Sequence, residues 1–208
     1  MEKLKLKKMK KGCLIWITIG VVIALIAIGI VSWGINTYNK IVSLEQGVIS
    51  QWGNVETQYQ RRADLIPNFV NTVKGAADFE QETLTRVIEA RSKATQVTLD
   101  PSNMTADNIQ QFQEAQSEVS SALSRLMVVV ERYPEIKATQ NFRDLQVELE
   151  GTENRISVER RNFNEKAREF NTYIKQFPQS IIAGMKGFTM RPYFEAMEGA
   201  ENAPEVQF

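Results

Sequence analysis

The chain of 208 residues contains 25 basic and 25 acidic side chains, no histidine and one cysteine. The missing histidine excludes Ser-His-Asp and Cys-His catalysis and histidine-ligated metals, and one cysteine cannot form an intramolecular disulfide or a cysteine-rich zinc site. The charge is unevenly divided, because residues 1–35 hold six lysines and one glutamate, which leaves the other 173 residues acidic. An acidic main body argues against nucleic acid as a partner.

Residues 12–35 form an uncharged apolar run with Trp16 and Trp33 near its two ends. In a helix these residues span roughly 36 Å, which is enough for the ~30 Å hydrocarbon core of a bilayer. Indole side chains prefer the headgroup level at both ends of such a helix. The run therefore predicts one transmembrane helix in contact with membrane lipid.

The lysines predict the orientation of this helix. All six precede the apolar run within residues 1–11, whereas only Lys40 follows it closely. The positive-inside rule then makes residues 1–11 a basic cytoplasmic tail and places the rest of the chain outside the cytoplasm. A cleaved signal peptide is the alternative, but its apolar stretch is normally only about 7–15 residues long. We therefore predict an uncleaved signal anchor in the bacterial inner membrane.

After Asn36, apolar residues recur every three or four positions, which is the period of amphipathic helices, and no strand alternation is visible. The first helix is expected to end near Arg61. Asp64 is then the expected N-cap of a second helix, with Pro67 in its first turn, where the missing N–H costs little. The second helix is predicted to reach about Ala94, the third to have its apolar face from Ile109 to Tyr133, and the fourth to extend from about Ala138 to Phe177.

Four long helices joined by short turns predict an all-α fold, with the transmembrane helix followed by an up-and-down antiparallel four-helix bundle over residues 36–177. The main alternative keeps the first two helices continuous through a kink at Pro67, which would give an extended three-rod structure suited to oligomerisation.

Residues 178–208 form an apolar C-terminal tail that departs from the helical pattern. A disordered tail would be poorer in aromatic residues. The tail is therefore expected either to pack back on its own bundle or to dock on a neighbouring protomer. The candidate contact residues are Tyr193, Phe194, Val206 and Phe208.

Arg61, Arg62 and Asp64 form the densest charged motif of the main body. In a structural role the arginines pair with nearby carboxylates and Asp64 caps a helix. In a functional role the two guanidiniums clamp a carboxylate of a partner or a lipid phosphate. A helix continuing from the membrane would place Arg61 about 39 Å beyond Ile35, which favours a partner protein or a second membrane over lipid of the same bilayer.

The fourth predicted helix contains a series of glutamates that includes Glu153. Metal pairs in four-helix bundles use Glu-x-x-His motifs, which a chain without histidine cannot supply. We therefore expect solvated acidic faces, with no catalytic residue, no metal site and no cofactor. The alternative is a hydrolase that binds a divalent ion through oxygen ligands such as Asp64 and Glu153.

Several segments closely resemble the LemA family. They are WGNVETQYQRRADLIPNFVNTVKG at residues 52–75, ALSRLMVVVERYP at 122–134, NFRDLQVELEGTENRISVERRNFN at 141–164, and the C-terminal RPYFE and PEV. The resemblance covers about residues 36–208. It implies a short tail, one N-terminal transmembrane helix and an α-helical bundle, but no established biochemical activity. Some family members are magnetosome membrane proteins, and many occur beside membrane protease genes, which hints at organisation of the cell envelope.

Together these features predict a membrane-anchored, non-catalytic scaffold or assembly protein. Self-association is expected because Glu159 and Lys166 interrupt the apolar face of the fourth helix, where another copy of the chain can satisfy them. The alternative is an accessory or regulatory subunit of a membrane protein partner, for example a protease.

Overall fold

The computed structural model describes residues 2–75 and 80–195, with side chains from Leu14 onward, and these residues contain helices but no strand. Two compact units are present. One comprises the residues up to Ser43 together with Tyr173–Thr189, and the other comprises Leu44–Thr172 together with the residues from Met190 on. The helices are α1 (Glu2–Lys74), α2 (Gln81–Gln96), α3 (Ala106–Val130), α4 (Pro134–Lys137), α5 (Gln140–Lys175) and α6 (Gln179–Lys186).

The first unit contains the apolar run as part of α1. Its described apolar side chains are exposed, with Trp16 at 75% and Leu25 at 63% of their full accessible surface. By length and composition α1 is able to cross a membrane, and no other helix among the described residues is. Exposing so large an apolar surface to water is costly, which makes this part of α1 a candidate membrane span.

In the second unit, α1 and α5 run antiparallel to each other. Gln51 Nε2 donates to Glu159 Oε2 over 2.5 Å. Ten residues further along α1, Arg61 pairs with Glu148, which lies earlier in α5. The α2 and α3 helices are also antiparallel, because Glu80, just before α2, pairs with Arg132, just after α3, whereas Lys93 near the end of α2 pairs with Glu118 in the middle of α3. These two helix pairs are therefore each antiparallel, and the predicted all-α fold is confirmed among the described residues.

The core of the bundle has two parts because α2 is much shorter than α3 and α5. Beside α2, apolar side chains from five helices, including the short α4, pack together in one cluster. Its members are Ile66, Phe69, Val70, Val73, Leu84, Val87, Ala90, Ala94, Val119, Leu123, Leu126, Val130, Ile136, Phe142 and Leu149. Beyond the end of α2, the core is built around Trp52 of α1, which contacts Phe112 of α3 and Phe163 of α5.

Residues 190–195, named here the C-terminal segment, complete the core around Trp52. The side-chain amide of Asn171 bonds both the N–H and the C=O of Arg191, and Asn164 does the same to Phe194, all over 2.8 Å. The seven helical residues from Asn164 to Asn171 rise about 10.5 Å, and the three extended residues from Arg191 to Phe194 span about 10 Å. The distance between the two asparagines therefore matches the distance between the two peptide groups that they bind. The segment thus lies along α5 and places the Phe194 ring against Trp52.

The prediction that a second helix begins at Asp64 is wrong. The structure instead shows the alternative of continuity, in which α1 passes through Pro67 and the next helix begins at Gln81. Asp64 lies mid-helix and accepts a hydrogen bond from Gln60. Proline cannot donate to the carbonyl four residues earlier, which is that of Ala63. Arg91 Nε of α2 donates to this carbonyl over 2.6 Å, so the helix continues without a buried unsatisfied acceptor.

We predict that Pro67 and Arg91 are energetically coupled. R91A should lower the free energy of unfolding by about 1–3 kcal/mol, because it leaves the Ala63 carbonyl without a donor. In a P67A background the loss should shrink by about 1 kcal/mol, since the substituted alanine supplies the missing N–H. Urea unfolding of the full chain in detergent, followed by circular dichroism, measures both changes.

The matched control is R86A, because Arg86 lies on the same helix with a half-exposed side chain paired to Glu82. Its removal should change the free energy by only about 0.5 kcal/mol or less. An R91A loss that is unchanged in the P67A background would show that the two residues act independently.

Candidate functional site

Arg62 is a buried cation at the centre of the bundle, with 2% of its side chain exposed. Its Nη1 donates to Ser120 Oγ and Glu153 Oε1, both over 2.7 Å. Its Nη2 donates to the carbonyl and side-chain oxygens of Gln116 over 3.0 and 2.5 Å. The Tyr59 ring lies 5.1 Å from the guanidinium carbon. One side chain therefore joins α1, α3 and α5.

Arg61, the preceding residue, has a different environment. Successive helical residues point about 100° apart, so the side chain of Arg61 points away from the core towards the surface of the bundle. It pairs with Glu148 over 2.7 Å, and both side chains are more than a third exposed. Asp64 is exposed on the same helix. The predicted motif of Arg61, Arg62 and Asp64 is therefore split between the surface and the core, and both guanidiniums already have carboxylate partners within the chain.

Tyr59 and Arg160 connect this buried arginine to the C-terminal segment. Arg160 hydrogen-bonds the Tyr59 hydroxyl, and its guanidinium lies 4.8 Å from the centre of the Phe194 ring. Burial raises the pKa of the Tyr59 hydroxyl above its ordinary value of 10.0, although Arg160 and Arg62 act in the opposite direction. The phenol is therefore neutral at physiological pH and acts as a hydrogen-bonding group rather than a base.

A cavity of about 90 Å³ adjoins this cluster between α1, α2 and α3, with Tyr59, Arg62, Gln116 and Arg91 in its wall. Pockets for small organic ligands are typically about 300–1,000 Å³. The cavity is large enough for a few water molecules beside the buried guanidinium. Its geometry fits hydration of a charged core better than binding of a nucleotide or a sugar.

Arg191 is a second buried arginine, with 6% of its side chain exposed. Its Nη2 donates to Glu45 Oε1 over 2.5 Å and its Nη1 to the Ser102 carbonyl over 3.0 Å. The guanidinium also lies 5.9 Å from the centre of the Phe170 ring. The C-terminal segment is thereby tied to α1, to the loop before α3 and to α5.

The other candidate residues of the tail lie in different settings. Phe194 is 5% exposed and stacks on Trp52 with ring centres 5.9 Å apart, so the C-terminal segment packs on its own chain. Tyr193 is 38% exposed, and its hydroxyl accepts a hydrogen bond from Asn171 over 3.0 Å. Val206 and Phe208 lie outside the described residues.

The carboxylates proposed as metal ligands are not brought together. Glu153 pairs with Arg62, whereas Asp64 accepts a bond from Gln60 on the exposed face of α1. Within residues 14–75 and 80–195, no group of three or more aspartate, glutamate or cysteine residues has the arrangement needed to hold a metal ion.

The burial of Arg62 is visible in the sequence once α1 is known to be continuous. Trp52, Val55 and Tyr59 precede it and Ile66 follows it at spacings of three and four, so Arg62 occupies a core position of the helix. Sequence reasoning missed Arg160 and Arg191. Arg160 is one of several arginines on α5, and Arg191 lies in an irregular segment without periodicity, so neither has a local signal.

Most of the chain described above matches a known protein family. A sequence profile of the LemA family matches residues 51–208, which include the cluster around Arg62 and the C-terminal segment. The chain belongs to the LemA family. The matched residues begin after the apolar run, so the candidate membrane span of this LemA-family chain rests on the length and composition of α1.

Related proteins include magnetosome protein MamQ 2 of Paramagnetospirillum magneticum, 24% identical over 177 residues that cover 76% of this chain and 64% of the relative. Magnetosome protein MamQ of Magnetospirillum gryphiswaldense is 24% identical over 176 residues with the same coverage. Protein LemA of Metamycoplasma hominis is 25% identical over 144 residues, or 69% of this chain and 62% of that protein. The chain thus spans less than two thirds of the length of these relatives.

We predict that Arg62 and Arg61 differ sharply in their effect on stability. R62A leaves the oxygens of Gln116, Ser120 and Glu153 without their shared donor, and should lower the free energy of unfolding by about 3–5 kcal/mol. R61A, the matched control, removes a surface pair and should cost about 0–1 kcal/mol. Urea unfolding gives both values. R62K retains the charge without the planar fork, so it should be intermediate. Equal losses for R61A and R62A would contradict the structural role of Arg62.

Tyr59 predicts a loss of stability at alkaline pH. The unfolded chain releases the phenolic proton near pH 10, whereas the folded chain keeps it to higher pH because burial raises the pKa of Tyr59. Above about pH 10 the folded state therefore binds more protons, and the free energy of unfolding falls as the pH rises. Y59F removes this contribution. The free energy of unfolding, measured between about pH 9 and 11, should fall more steeply with pH for the wild type than for Y59F. Identical slopes would contradict a raised pKa of Tyr59 in the folded chain.

Proposed function

We propose that this LemA-family chain is a membrane-anchored helical scaffold that associates with itself and organises partners at the outer face of the bacterial inner membrane. The main support is α1, which contains both the exposed apolar run and the core residues Trp52 and Arg62. Because α1 is continuous from the apolar run to these core residues, anchoring of the run would hold the bundle near the membrane. The lysine-rich residues 1–11 favour a cytoplasmic N-terminus.

A non-catalytic role agrees with the chemistry of the buried polar groups. Arg62 and Arg191 each donate several hydrogen bonds within the chain, and Glu153 and Glu45 are their carboxylate partners. The neutral Tyr59 phenol supplies no base at physiological pH. These groups hold helices in register, which is what a scaffold requires of its core.

Self-association is supported by exposed apolar side chains on the bundle helices. Val128 of α3 and Val147 of α5 retain 71% and 69% of their accessible surface. Glu159 and Lys166, the expected contact points for another copy, have partners within the chain in Gln51 and Glu169. We therefore propose that copies of the chain meet through the outer surface of the bundle rather than through the apolar face of α5. Relatives that are called magnetosome proteins fit a role in membrane organisation.

The proposal is tested by cross-linking in bacterial cells whose outer envelope layer has been removed while the inner membrane remains sealed. Two differently tagged copies of the full chain are expressed together and treated with a membrane-impermeant amine cross-linker. Exposed lysines of the bundle, such as Lys93 and Lys137, supply reactive amines. We expect a product that contains both tags, formed without permeabilising the membrane.

Each outcome decides one part of the proposal. A doubly tagged product that forms only after permeabilisation would place the bundle in the cytoplasm. Absence of a doubly tagged product both before and after permeabilisation of the membrane would overturn self-association. Cross-linking to a different polypeptide alone, identified by mass spectrometry as a membrane protease or another enzyme, would favour the accessory-subunit alternative.

A further inference from the structure

The short helix α6 packs beside α1 at the outer end of the apolar run. Ile182 Cδ1 lies 3.9 Å from the position that a Cβ on Gly34 would occupy, which is an ordinary van der Waals distance and places Ile182 beside Gly34. One turn further along α1, the Tyr38 ring lies 6.0 Å from the Phe188 ring and 5.6 Å from Lys186 Nζ. All of these residues belong to the first compact unit.

These contacts fix the direction of α6 relative to the membrane helix. Ile182 lies beside Gly34 and Lys186 beside Tyr38, so both helices advance by four residues in the same direction. At about 1.5 Å per residue, Pro178 at the start of α6 lies roughly 6 Å closer to the membrane than Ile182. Because Gly34 is the second-last residue of the apolar run, the start of α6 lies at the level of that run.

Three large apolar side chains on α6 and in the turn before it have no cover from the protein. Phe177, in the turn before α6, is 82% exposed, and Ile181 and Met185, one turn apart on the same face of α6, are 50% and 77% exposed. On the other side of α6, Ala183 is buried. Phe177 and Met185 are among the most exposed large apolar side chains described outside the apolar run, which is the pattern of a helix that lies at a membrane surface.

We propose that Phe177, Ile181 and Met185 insert into the outer leaflet of the bilayer that holds the apolar run of α1. The proposal rests on the membrane anchoring proposed above. The occupant of this face is lipid because α6, which carries most of it, lies against Gly34 of the apolar run through Ile182. Lys175 and Lys186, which are exposed at the two ends of this region, are placed to meet lipid phosphates.

This second contact gives the membrane attachment a defined orientation. A single transmembrane helix is free to rotate about its axis and to tilt. An inserted face on one side of that helix selects the rotation in which α6 meets the leaflet. The first unit is then attached at two positions around α1 rather than along a single axis.

The test attaches an environment-sensitive fluorophore to single cysteines of the full chain, in a C13S background. Labels at F177C, I181C and M185C report on the proposed face. I88C is the matched control, since Ile88 lies on α2 with the same exposure as Ile181, 51% against 50%. I23C, in the middle of the apolar run, reports on the anchor. The proteins are reconstituted in vesicles of phosphatidylcholine and phosphatidylglycerol, with and without a nitroxide on the acyl chains.

We expect blue-shifted emission and a several-fold larger nitroxide quenching at residues 177, 181 and 185 than at residue 88, with strong quenching at residue 23. Quenching at residue 23 together with behaviour at 177, 181 and 185 like that at 88 would overturn the insertion of α6 and leave the anchor intact. A blue shift without nitroxide quenching would show that protein, such as a second copy, covers the face instead. Absence of quenching at residue 23 would overturn the anchor as well.

Discussion

The bundle depends on the buried guanidinium of Arg62. A charge removed from water must be paired and fully hydrogen-bonded, and the penalty for a missing partner is several kcal/mol. The partners come from α3 and α5, and their oxygens surround a planar fork of fixed geometry. A shift of one helix by a single turn would move its oxygens by about 5.4 Å and break the set. Apolar packing alone tolerates such slips more readily, so Arg62 adds specificity to the register of three helices.

The rest of the architecture compensates for the shortness of α2. Four helices and the short α4 surround the core near Phe69, but beyond Gln96 only three helices remain, and the C-terminal segment fills the open side. Asn164 and Asn171 hold it as peptide groups of a neighbouring strand would, so its backbone polar groups stay satisfied beside Trp52. Arg160 then links this region to Tyr59 and through it to Arg62.

Much of this fold is predictable from local patterns. The apolar run identifies α1 by composition, and the three-four periodicity identifies the bundle helices and most of their buried faces. The predicted break at Asp64 is wrong because the residues next to Pro67 in the sequence do not show how the Ala63 carbonyl obtains a donor. The donor is Arg91, which lies 28 residues away from Ala63 and is brought to it only by the packing of α2. The roles of Arg160 and Arg191 likewise depend on tertiary contacts, so no short segment of sequence contains them.

The pairing of Glu45 with Arg191 joins residues 146 positions apart, across almost the whole of the second unit. Contacts of such long sequence separation form late in folding, because the intervening chain must first be ordered. Trp52 is synthesised before the three aromatic residues that enclose its indole, which are Phe112, Phe163 and finally Phe194. A partly made chain therefore leaves this aromatic surface exposed until the C-terminal segment covers it, and exposed apolar surface of this kind makes partly folded chains prone to aggregation.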